Sequence, residues 1–200
     1  MARALRIVER DGTYHVASRG NDGRLIFLDD VDCERFISLL EDVAWRYGWL
    51  VLGYCLMSNH IHLLVKVPHE GLSEGMQELL SGYACWWNQR HGHTGHLFRN
   101  RFYSKQVRGE AQLLSTACYI DLNPVAAGLK SRPEQWRWSS YRAHIGLEHP
   151  NPLLATAEFW ALVGPTPEKA RSLYRRLVTS RLKPVSDADL SGPDLAADQG

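Results

Sequence analysis

The stretch Trp49–Val67, WLVLGYCLMSNHIHLLVKV, decides the fold. Two apolar runs rich in valine, leucine and isoleucine flank Met57-Ser58-Asn59. Each is too short for a globular helix and long enough for a strand, so Trp49–Leu56 and His60–Val67 read as a β-hairpin. Working outward, Tyr14–Arg19 is a short strand with aromatic and β-branched content, and Gly20-Asn21-Asp22-Gly23 is a turn. Residues Asp32–Tyr47 place Phe36, Leu39, Leu40, Val43 and Tyr47 at spacings of three and four, an amphipathic helix that Gly48 can end. Beyond the hairpin, Pro68 and Gly71 bracket a loop. Leu72–Arg90 is a second helix, with Met76, Leu79, Leu80 and Tyr83 on one side. His91–Gly95 is a glycine-broken loop, and Phe102–Val107 is a fourth strand. Glu110–Asn123 is a third helix, which Pro124 is expected to stop. The order is β-α-β-β-α-β and then a helix. That predicts an α+β protein with a ferredoxin-like split sheet, one face buried under two helices and the other open to a site or to a further helix.

After this unit, Pro150–Pro152 reads as a linker. Glu158–Leu182 has room for two short helices around Gly164-Pro165-Thr166-Pro167, a helical C-terminal extension. From Pro184 the composition turns polar and acidic, which predicts a disordered tail. The expected organisation is a domain over residues 1–146, the extension over 147–183 and the tail over 184–200. With 44% hydrophobic residues in 200, the chain can bury a substantial core. No run approaches the roughly 20 apolar residues of a membrane span, and Met1–Arg6 lacks the apolar run of a secretory signal. The expected place of work is the cytoplasm, at the nucleoid. Cys33, Cys55, Cys85 and Cys118 contain no C-x-x-C pair, which argues against a zinc knuckle or a disulfide framework and for buried thiols.

The net charge of +1 conceals an asymmetry. Asp187, Asp189, Asp194 and Asp198 lie in a terminal stretch without cations; setting them aside raises the net charge to +5 for residues 1–185. Between Leu79 and Gly109, Arg90, Arg99, Arg101, Lys105 and Arg108 stand with no acid among them. Such clustering suits nucleic acid, and equally an ordinary solvated basic face.

His60 and His62 alternate with core residues along a strand, so both imidazoles point to one face, where together they can hold one metal ion. Two histidines on a half-buried strand are as often structural. His91, His93 and His96 form a second cluster, but a glycine-rich loop preorganises ligands poorly; contact with DNA is the better expectation for it. Tyr119 and Asn123 are four apart on the third helix and share a face, which Gln112 and Thr116 extend as a polar stripe. A tyrosine there is usually an amphipathic surface residue; beside an asparagine within reach of a metal it becomes a candidate nucleophile. Asn123 is also a common residue type before a proline at a helix end. Gly95–Phe102 sets Arg99 and Arg101 beside aromatics, a pattern that fits a phosphate path or a basic strand edge. Trp136–Tyr141 puts three aromatics in six residues, more often a pin for a terminal segment than a stacking platform.

Taken together, these residues resemble the REP-associated tyrosine transposases, which belong with the insertion-sequence single-strand transposases in the HUH endonuclease superfamily. The landmarks are Tyr14–Asn21 (YHVASRGN), Leu56–Leu64 (LMSNHIHLL), Gly95–Phe102 (GHLFRNRF), Tyr119–Val125 (YIDLNPV) and Trp138–Tyr141 (WSSY). The resemblance implies that His60, His62 and Asn123 bind a divalent ion, Mg²⁺ or Mn²⁺, and that Tyr119 is the nucleophile. It implies cutting and rejoining of single-stranded DNA near hairpins through a 5′-phosphotyrosine, by a monomer or a homodimer. Arg19, Asn21, Arg99, Arg101, Lys105 and Arg108 are the expected DNA contacts. Ser58 stands where relatives carry proline, and Ala126 where they often carry arginine, which removes one phosphate contact. Two other readings are a non-catalytic ferredoxin-like module for single-stranded nucleic acid and a metal phosphohydrolase that uses water in place of Tyr119.

Overall fold

The computed structural model describes residues 9–68 and 71–182. The expectations for the first six residues and for the acidic tail lie outside them. Four strands, β1 (Gly12–Arg19), β2 (Leu50–Met57), β3 (His60–Val67) and β4 (Tyr103–Val107), form one sheet in the order β2-β3-β1-β4. Every neighbouring pair is antiparallel. The helices α1 (Asp30–Tyr47) and α2 (Leu72–His91) make the two crossovers, so the arrangement is the split β-α-β-β-α-β expected from the sequence. Local chemistry fixes the ends. The Asp29 carboxylate accepts from the Asp32 amide at 3.1 Å to start α1. Gly48 closes that helix in the left-handed region, at φ 66°, where a side chain is disfavoured.

The second face of the sheet is covered by further helices, one of the two outcomes expected for it. Helix α3 (Gly109–Ala126) crosses it, followed by a short turn α4 (Tyr141–His144) and the pair α5 (Thr156–Val163) and α6 (Pro167–Thr179). Alternation along the strands therefore feeds two cores. Val16, Leu63 and Val65 meet Phe36, Leu40, Leu79 and Tyr83 of α1 and α2. Leu52, Cys55 and Leu64 meet Leu113, Ala117 and Cys118 of α3, with Phe159, Tyr174 and Val178 behind them. A bulge between Val51 and Gly53 in β2 switches its residues between the two faces. Gly53 suits the close packing there, because a Cβ would lie 3.2 Å from the Ser140 hydroxyl, a tight contact that the hydroxyl would have to yield to.

Two expectations change in detail, and a third holds. Helix α3 does not stop before Pro124; it continues to Ala126. A proline one turn from the helix end forfeits a single amide bond there, and the bonds from Ala127 to Asn123 and from Leu129 to the Pro124 carbonyl finish the turn. The aromatic stretch Trp136–Tyr141 does act as a pin. Its backbone bonds to Leu56 and Tyr54 along the β2 edge, and the Trp136 indole donates to the Leu56 carbonyl at 3.0 Å. Cys33, Cys55 and Cys118 are buried thiols as expected, but Cys85 is exposed. No helix among the described residues is long and apolar enough to cross a membrane.

Candidate active site

The register of the sheet assembles the site. On the α3 side, Arg19 lies opposite His60 and Ala17 opposite His62. Tyr103 of β4 pairs with Ala17 on the other flank, and Lys105 with His15. Ala17 is small, so the space beside His62 is left to larger rings on its diagonals, among them His15. The imidazoles of His60 and His62 stand 5.1 Å apart, nearly perpendicular. Tyr119 projects from α3 onto this group. Its ring meets His62 edge-on at 5.5 Å and His15 at 5.7 Å, and the residue is 47% exposed. Helix geometry brings Asn123 one turn later against both His60 and His62. Its amide nitrogen donates to the Tyr119 carbonyl at 2.9 Å, so the amide oxygen is the atom turned to the two imidazoles.

Burial sets the electrostatics. It pushes the His60 imidazolium down, with Arg19 adding to the shift and Asn123 opposing it. His62 is held well below its ordinary range by burial first, and then by the neighbouring His15 and His60. His15 falls to about 4 through burial and the charge of Lys105. The three rings are therefore neutral near neutral pH, which is the form that binds a metal. The Nε2 atom of His62 is buried and has no hydrogen-bond partner. An orphaned imidazole nitrogen next to a second imidazole and an amide oxygen fits a divalent ion. Among the described residues, no group of three or more His, Cys, Asp or Glu side chains is arranged to hold a metal; the set described here is two imidazoles and an amide.

The expected contacts divide. Arg19 is close enough to act on His60, and Lys105 on His15. The Arg99 amide donates to the Arg19 carbonyl at 3.0 Å, and the Asn21 amide to the Leu97 carbonyl at 2.8 Å. Exposed Arg99 and Arg101 thus run beside Arg19 and Asn21. Arg108 is not brought to this group. It lies at the opposite end of β4 and is tied to Glu9 at 2.8 Å and to Gln106. Gln112 and Thr116 serve α3 itself: the Gln112 side chain accepts from the Arg108 amide, and the Thr116 hydroxyl donates to the Gln112 carbonyl. Two of the three loop histidines are also occupied. His91 bonds to Asp32 at 2.9 Å, and His93 lies between Arg24 and Asn88.

Sequence reasoning missed His15, Tyr103 and Asp121. The first two need the pairing register, although the alternation of β1 does put His15 on the face of Ala17. Nothing in the spacing of α3 singles out Asp121, which is 1% exposed.

The split sheet with a helix laid across it sets a half-exposed tyrosine against a strand histidine pair, and the sequence that builds this arrangement is that of a transposase. The chain belongs to the IS200-like transposase family, whose sequence profile matches residues 10–123. That span holds His60, His62, Tyr119 and Asn123. The chain is 23% identical over 160 residues to a Haemophilus influenzae protein described as a REP-associated tyrosine transposase, covering 74% of this chain and 90% of that one. In fold it is similar to the structure of a REP-associated tyrosine transposase bound to a REP hairpin. There the TM-score is 0.64 at 16% identity, over 76% of this chain and 90% of the other. Both likenesses agree with the family resemblance read from the sequence.

Proposed function

We propose that this transposase is a divalent-metal-dependent endonuclease and transesterase of single-stranded DNA, acting beside hairpins through a 5′-phosphotyrosine. The observation that carries the reading is the approach of the half-exposed Tyr119 to His62, whose Nε2 is buried and unpartnered. His60, His62 and Asn123 would hold the ion. Bound by donors without net charge, it supplies undiminished positive charge to polarise the scissile phosphate. Tyr119 Oη attacks phosphorus and loses its proton. The P–O3′ bond breaks, the electron pair stays on O3′, and that oxygen takes a proton to become a free 3′-hydroxyl. The 5′ side remains on Tyr119. A 3′-hydroxyl from either strand reverses the step; one phosphodiester is exchanged for another, so rejoining needs no ATP. Arg19, Arg99, Arg101 and Lys105 flank the site on two sides, which suits a backbone path with charge on both banks. The hairpin complex of the structural relative supports hairpin DNA as the partner.

The test is incubation of the full chain with an end-labelled hairpin oligonucleotide carrying a single-stranded extension, with Mn²⁺, followed by denaturing electrophoresis. A covalent protein–DNA band that disappears in Tyr119→Phe is expected. Cleavage with no adduct would transfer the chemistry to water.

A further inference from the structure

His15 has no place in the catalytic set described so far, yet its ring makes a direct polar contact with it. Its Nε2 lies 2.9 Å from Nδ1 of His62, and the two rings stack at 5.1 Å. Two imidazole nitrogens this close share one proton between them, so one ring donates and the other accepts. Two arrangements follow. If His15 donates, His62 accepts at Nδ1, and a neutral His62 must carry its hydrogen on Nε2, where it has no partner. If His62 donates, its Nε2 presents a lone pair, the form a cation needs. The neighbouring ring meets the same choice with a different partner. Nδ1 of His60 lies 2.7 Å from the Asn59 amide oxygen. That oxygen only accepts, so His60 carries its proton on Nδ1 and leaves Nε2 free.

We propose that His15 is a positioning residue that accepts the Nδ1–H of His62 and so fixes that imidazole with its Nε2 lone pair toward the metal position, as Asn59 does for His60. The inference rests on the reading of His60, His62 and Asn123 as ligands. A metal-binding histidine commonly donates its other ring hydrogen to a fixed acceptor, which sets its tautomer and its orientation. His15 is suited to be that acceptor because it is itself wedged. The rings of Tyr119 and Tyr103 meet it edge-on at 5.7 and 6.1 Å. Its position on β1 comes from the register with β3, so the strand pairing itself carries the alignment.

The experiment uses full-length protein with ¹⁵N-labelled histidine, as wild type, His15→Phe and His15→Gln. Phenylalanine keeps a ring and removes the acceptor; glutamine removes the ring and restores an acceptor oxygen. Imidazole spectra of the metal-free protein read the His62 tautomer, and calorimetric titration with Mn²⁺ reads affinity. Wild type is expected to carry the His62 proton on Nδ1. His15→Phe should lose that preference and bind Mn²⁺ roughly 10–100-fold more weakly. His15→Gln should retain the tautomer and most of the affinity, which a merely space-filling role for His15 does not predict. A wild-type His62 protonated on Nε2 overturns the proposal even if both variants misfold. So does an unchanged tautomer and affinity in His15→Phe. If wild type shows the Nδ1–H tautomer but binds no Mn²⁺, the ligand reading falls and the orienting bond stands.

Discussion

Tyr119 and Asn123 share a face of α3, but the chemistry asks different things of them. In the proposed reaction Tyr119 would supply one oxygen. Tyr119→Phe keeps the ring contacts with His62 and His15, so it should fold, bind Mn²⁺ and bind DNA as wild type does while forming no adduct. A phosphotyrosine adduct from that variant would end the assignment. As a proposed ligand, Asn123 would supply one metal-binding atom, so Asn123→Ala should lose activity at low Mn²⁺ and recover part of it at high Mn²⁺. His62→Ala is expected to weaken Mn²⁺ binding more than Asn123→Ala, because imidazole is the stronger donor of the two; calorimetry on both variants checks the order. Two nitrogens and one amide oxygen also make a poor site for Mg²⁺, which prefers oxygen ligands and retains its water. Mn²⁺ should therefore bind the wild-type protein more tightly than Mg²⁺, and equal affinities would contradict the donor set. At this scale the sequence was informative about the H-x-H pair and the tyrosine, whose spacings within one element fix their direction. It was silent on His15, because contact between β1 and β3 depends on a register that spacing along one strand does not reveal.

At the scale of an element, α3 works on two sides. One face carries Tyr119 to the site; the other is anchored by Asp121, two residues away and buried. Its carboxyl accepts from the Tyr174 hydroxyl at 2.6 Å and from the Ser140 hydroxyl at 3.3 Å, with His144 at 3.5 Å. These partners come from α6, from the pin after Trp138 and from α4, so the C-terminal segments meet on one buried carboxyl. Tyr174→Phe leaves that group short of a partner, at a cost of roughly 1–3 kcal/mol. Thermal unfolding should shift down by roughly 2–12 °C, since each kcal/mol moves a chain of this size by about 2–4 °C. Because Tyr174 lies behind the helix and away from the ligands, Mn²⁺ affinity of the folded variant should change little. Periodicity located α3 but not its anchor or its end. The buried acid reads as an exposed one until α6 is packed on it, and Pro124 reads as a stop although a proline so near the helix end costs only one bond.

The whole molecule is a sheet with a core on each side, and the site lies where the second core ends and the cations begin. The first core was legible in the sequence, because α1, α2 and the strands carry clean apolar periods. The second was not. Phe159, Tyr174 and Val178 lie far along the chain, and nothing in their own spacing says which face they cover. The distribution of charge gives a test at this scale. Replacing Arg99, Arg101 and Lys105 together by glutamine should lower the salt dependence of single-strand binding by about 0.7 in log–log slope for each phosphate that is no longer neutralised. Arg108→Gln should leave the slope unchanged, because that guanidinium is engaged by Glu9 at the opposite end of β4. Fluorescence anisotropy across a salt series measures both; a larger drop in slope from Arg108→Gln than from the triple variant would relocate the path.

The buried anchoring of α3 has a consequence for traffic at the site. A helix tied through Asp121 to α4 and α6 is a fixed post, and each chain offers one tyrosine from it. Under the proposed reaction such a post would hold one strand end at a time, so two ends exchanged by the same molecule would take turns, and the protein would serve as a mooring that is occupied, vacated and occupied again.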